Sequence, residues 1–200
     1  MIVIGWALGL FSPIINDYFT KNQHKREIEN GLLIELGEIR YRLMCSVYVI
    51  NSHFGTIDND LLEWFKSTNK DYRGVYQDTE VSKAITRLLG LPIEEIGTLS
   101  KANSGGGLGV KKYETPFLDL KLSDLTIFDE TFQNKILEIK SRLNLLNEEV
   151  ETSRFYHEKT FDSLSDINRQ IICQNLNGSY KNIAGTARRL ADRIAVLKTK

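Results

Sequence analysis

An excess of charge of either sign is missing from this chain. Its 26 basic and 26 acidic residues leave a formal net charge of zero. A general nucleic-acid binder carries a basic surplus, so nucleic acid is not expected as a partner. Cysteine is scarce too. Cys45 and Cys173 stand far apart without a C-x-x-C pair, which argues against a disulfide framework and a Cys-based zinc site and fits a reducing cytoplasm. The three histidines, His24, His53 and His157, form no H-E-x-x-H or Glu-x-x-His pair. There is no nucleophile elbow, kinase set or deaminase signature, no repeat of 20 to 50 residues and no long low-complexity tract. No catalytic residue, cofactor, metal or small-molecule substrate is therefore expected. With 42% hydrophobic and 26% charged residues, the composition is that of a folded protein.

The chain is organised around its first stretch. From Ile2 to Ile15 every residue except Ser12 is apolar, Gly or Pro. Asn16 and Asp17 follow, then Tyr18 and Phe19, then a basic flank of Lys21, His24, Lys25 and Arg26. Fourteen helical residues rise only about 21 Å, against a hydrocarbon core of about 30 Å. Counting from Met1 to Phe19 gives roughly 28 Å, which spans if Asn16 and Asp17 reach the headgroups. Residues 1–20 are thus expected to form a transmembrane anchor, with Ile2, Trp6, Leu8, Phe11, Ile15 and Phe19 facing lipid. Pro13 should kink it. A signal peptide is disfavoured, because no basic residue precedes the apolar run and no A-x-A follows it. A buried helix is the main alternative. With positive charge only on the C-terminal side, a spanning helix would place residues 21–200 in the cytoplasm, on the inner face of the cell membrane. Gly5 and Gly9 form a G-x-x-x-G, the spacing that lets membrane helices touch.

The remainder reads as an all-α long-helix bundle: an antiparallel helical hairpin, an N-terminal helix beside it, and a short helical insertion. Lys25 to Phe54 carries Leu36, Ile39 and Leu43 on a seam of alternating four- and three-residue steps and should end near Gly55. Asp129 to Leu164 repeats the pattern through Ile136, Ile139, Leu143, Leu146 and Val150. Ser163-Leu-Ser-Asp166 matches a capping box. The last helix follows, with Ile183, Ala187, Leu190 and Ile194 on its seam. Such seams serve equally inside one chain or between subunits, so a homo-oligomer or another protein is the expected partner, beside membrane lipid.

Residues 56–109 read as the short-helix insertion, and residues 110–128 as an extended arm. Leu118, Leu120 and Leu122 alternate with polar residues at the period of a strand, with no second strand to pair with. The cluster from Ser104 to Gly109 lacks the Lys of a phosphate loop and reads as a flexible connection. His53 and His157 fall on seams, where a histidine is usually just hydrogen-bonded; a metal site with Glu158 or Asp58 is the sharper alternative. Asn168, Asn175 and Asn182 make a polar stripe, either a ladder to a partner helix or a solvated flank. Tyr72, Tyr76 and Tyr113 could stack bases, but no basic stripe accompanies them. Charge is uneven: 12 acidic and 6 basic residues lie between Glu114 and Asp166, whereas Lys181 to Lys200 holds six basic residues and only Asp192 acidic. Opposite signs on one hairpin can pair, or the basic end can meet an anionic leaflet.

The layout resembles that of small bacterial proteins with one N-terminal anchor and a helical cytoplasmic body. It carries no motif of a particular family. The first functional expectation is a membrane-anchored helical interaction, scaffold or regulatory protein. The second is an oligomeric membrane-active effector or pore component, and the third an enzyme with its site in residues 56–109.

Overall fold

The computed structural model describes residues 2–70, 72, 74, 80–92, 95–96, 108–163 and 165–197, with the backbone alone described for 2–16, 18 and 81. The described residues are helical or irregular, without a strand. Three long helices dominate. The first, α1 (Ile2–Phe54), runs 53 residues, an axial length of about 80 Å. Two shorter helices follow, α2 (Asn59–Lys70) and α3 (Glu80–Leu88), then a single turn, α4 (Pro116–Leu120). The hairpin consists of α5 (Glu130–Lys159) and α6 (Asp166–Leu197).

Local chemistry explains the boundaries. α1 stops at Gly55, whose φ of 65° is open to glycine at little cost. There the Gly55 N–H donates to the Ser52 carbonyl at 3.2 Å and the Thr56 N–H to that of Asn51 at 2.9 Å, the paired bonds of a Schellman stop. Asp58 caps α2 by accepting from the Leu61 N–H, and Asp129 caps α5 by accepting from the Phe132 N–H. The expected capping box at Ser163 is displaced. Ser165 takes the role, accepting from the Asn168 N–H at 3.4 Å, because the turn after α5 uses residues 160–162.

Helix α6 is the centre of the bundle and packs along both α1 and α5. It is antiparallel to each. Ser179 reaches Glu149 and Arg193 reaches Glu138 across the hairpin, while Val196 and Leu197 lie beside Lys25 of α1 and Phe132 of α5. All twelve seam residues named above are buried, none more than 2% exposed, in one core shared by the three helices. The seams are thus consumed within a single chain. Ala184, Ala187 and Ala191 are buried with them and let α6 lie close to its neighbours.

α1 and α5 run parallel, and the segment 108–128 fills the groove between them. It is not a strand. Residues 108–115 are irregular, Pro116 occupies the first turn of α4, and Ser123–Ile127 is a 3-10 turn. Of the alternating leucines only Leu118 is buried; Leu120 is 74% exposed and Leu122 is exposed too. Tyr113 joins both walls of the groove. Its hydroxyl donates to Ser46 Oγ on α1 at 2.6 Å, while its backbone N–H and carbonyl pair with the Asn147 side-chain amide of α5 at 2.8 and 2.9 Å. On the α5 side, Lys140 Nζ meets Thr115 Oγ1 and Asp119, each at 2.6 Å.

Candidate functional site

Several cavities open among the described residues. One of about 580 Å³ lies between residues 108–111 and the far end of the hairpin, lined by Ser153, His157, Phe161 and Tyr180. The Tyr180 hydroxyl donates to the Leu108 carbonyl at 3.0 Å, and burial raises its pKa. A groove of about 630 Å³ follows the outer face of α5 and α6. Arg142 and Arg193 on its rim share Glu138, at 2.9 and 2.6 Å. A third cavity, about 350 Å³, lies among α1, α2 and α6 and includes Asp58 and Arg188.

Among the described residues no group of three His, Cys, Asp or Glu side chains is arranged to hold a metal ion. His53 lies against Phe54 with ring centroids 5.0 Å apart, and His157 against Phe161 at 5.3 Å. Asn168, Asn175 and Asn182 are exposed, as a solvated flank would be. Tyr72 stacks on Tyr41 with ring centroids 4.0 Å apart, and Tyr113 is buried between helices, which leaves neither face free for a base. Tyr76 lies outside the described residues.

The surface that stands apart is the end of the bundle from which the N-terminal part of α1 emerges. Lys25 Nζ sits over the Phe128 ring, 5.3 Å from its centroid, and Phe128 packs on Phe132 with centroids 4.6 Å apart. A cavity of about 140 Å³ lies here, between Lys25, Phe128, Phe132 and Val196. The hydrogen bond from Lys121, 3.0 Å long, holds the Asp124 carboxyl below its ordinary value, and His24 nearby adds to the effect. Near these groups lie apolar side chains in water: Leu122 and Ile127 between α4 and α5, and Val196, 59% exposed, near the end of α6. Further along α1, Lys21 pairs with Asp17 at 2.8 Å and Phe19 is 66% exposed.

Sequence reasoning missed this cluster, because nothing local reports that Phe128 comes to lie under Lys25, with Asp124 near His24. The expected anchor lies mostly beyond the described side chains. Ile2, Trp6, Leu8, Phe11 and Ile15, with Gly5 and Gly9, belong to the helix by their backbone, and their side chains are outside the described set. Among the described residues no helix is long and apolar enough to cross a membrane.

The fold is that of an all-α protein: three long helices with a polar-stitched arm in one groove. Comparisons with protein-family models, with curated proteins and with solved structures find no match.

Proposed function

We propose that this chain is a membrane-anchored helical interaction protein, held by residues 1–20 at the inner face of the cell membrane, where its cytoplasmic bundle positions or regulates a partner. The observation that supports it most is the continuity of α1. The helix passes from the apolar run at Ile2–Ile15 into the bundle without a break, so the run projects from the bundle end rather than folding back into the core. A 14-residue apolar run on a projecting helix needs a cover that the described core does not supply.

Self-association has to use another surface than the seams, since these are buried within one chain. The Gly5 and Gly9 face of the N-terminal helix is the candidate, and it is equally what an oligomeric effector or pore would use. The groove on the outer face of α5 and α6 is open for a protein partner.

The test is fractionation of the full chain and of a version starting at Asn22, followed by sizing in mild detergent. The expected result is a full chain in the membrane fraction and a truncation that leaves it while staying helical. A full chain that stays out of the membrane fraction overturns the reading. A ring-sized detergent complex, with vesicle leakage lost on Gly5→Leu and Gly9→Leu, replaces scaffold by pore.

A further inference from the structure

The spacing along α1 leaves no room for a stalk between anchor and bundle. If Phe19 marks the edge of the hydrocarbon, His24 and Lys25 lie only about 7 to 9 Å further along the helix axis. The headgroup layer on one side of a bilayer is itself roughly 5 to 8 Å deep, taking half the difference between the hydrocarbon core and the whole membrane. Lys25 is the level at which the bundle begins: Phe128 packs under it, and Val196 lies across the same small cavity. Tilting the helix by the usual 20° or so only brings one side of the bundle end closer.

We infer that this end of the bundle is seated in the headgroup layer, with Leu122, Ile127 and Val196 as its contacts with the bilayer. This inference rests on the anchor reading and adds to it a defined orientation and a second membrane-contacting segment. The surface chemistry fits. These three side chains are exposed and apolar. Asp124 is paired with Lys121, Asp129 is spent on capping α5, and Glu29 lines the same small cavity as Val196 and Lys25. Lys25 lies flat over an aromatic ring, with an alkyl stem suited to the boundary between water and lipid. Exposed apolar side chains also occur at the far tip, where Phe155, Phe161, Ile167 and Ile171 stand in water, so what singles out the seated end is the apolar run of α1 that leaves it. The far tip of the hairpin carries Cys173, exposed, more than three helical turns from the α6 residues at the seated end.

The experiment uses the full chain in vesicles of phosphatidylcholine with one quarter phosphatidylglycerol. A polarity-sensitive fluorophore is placed on Ile127→Cys, and separately on Leu122→Cys, each in a Cys173→Ser background. The natural Cys173 carries the same fluorophore in the control. Expected is a blue-shifted emission at 127 and 122, quenched several-fold more by headgroup-level nitroxide lipids than the emission at 173. If the chain floats with the vesicles while 127 and 122 behave like 173, the seating is wrong and the anchor stands. If the chain does not float, the anchor reading falls and the seating with it.

Discussion

Glu35 of α1 receives the backbone N–H groups of Phe117 and Leu118 on its two carboxylate oxygens, at 2.8 and 2.9 Å. It thus caps a helical turn that lies 82 residues further along the chain. No side chain within α4 supplies that cap, since Thr115 makes no capping bond. One carboxylate therefore satisfies two N–H groups and at the same time clips the arm onto α1.

Replacing Glu35 by Ala should cost about 1.5 to 3 kcal/mol, the range for hydrogen bonds to a charged group with buried donors left behind. Glu35→Gln keeps one acceptor oxygen and should lose roughly half as much, on the same scale. Urea unfolding followed by circular dichroism reads both. A Gln variant as stable as the parent would show that the carboxylate is not the cap.

The seam residues and their exposed neighbours give a paired test of where the heptads are spent. Leu146 is 1% exposed and Leu145 is 60% exposed. Leu146→Ala should destabilise by about 2 to 5 kcal/mol, whereas Leu145→Ala should stay within about 0.5 kcal/mol of the parent. The loss at Leu146 should not vary with protein concentration. A midpoint that climbs with concentration would place this seam between subunits instead.

A buried tyrosine and a half-buried thiol make the fold sensitive to alkali. Burial pushes the Cys45 thiol from its usual 9.0 up to about 11, and the Tyr113 hydroxyl from 10.0 up to about 12. Both are raised, so the folded state favours their protonated forms. Their contribution is fully present below pH 9 and is lost as the pH rises through the folded values, between about pH 9 and 12. The urea midpoint should fall across that window, and Tyr113→Phe should flatten its upper part. The same burial sorts the thiols. Cys173 is exposed and should react with a maleimide at neutral pH, while Cys45 waits for unfolding. Two equally fast thiols in the native protein would contradict the burial of Cys45.

Much of the frame was legible because helical periodicity repeats over many turns. The seams of α1, α5 and α6, the stop at Gly55 and the start at Asp129 follow from spacing and from single capping residues. The arm was not legible. Leu118, Leu120 and Leu122 have the period of a strand, but Pro116 favours a helical first turn and Glu35 completes it from across the fold. Gly31 hides a similar long-range cause. Read locally it only weakens α1, whereas a methyl group there would run into the Phe117 ring. The pairing of Tyr113 with Asn147 and the placing of Phe128 under Lys25 belong to the same class, set by tertiary geometry and invisible to a local window.

The parallel course of α1 and α5 has a consequence for biogenesis. Parallel neighbours need a long crossover, and here it takes the chain from Gly55 to Asp129 before α5 begins. The helix that packs along the bundle part of α1 is α6, which follows every other described element in chain order. The α5–α6 hairpin closes from local contacts, whereas α1 must wait for a partner made more than a hundred residues later. During that interval Leu32, Leu36, Leu43 and Val47 have only part of their cover. A nascent chain tethered early by its N-terminus would hold this bare stripe beside the bilayer, away from other unfinished chains, until α6 arrives.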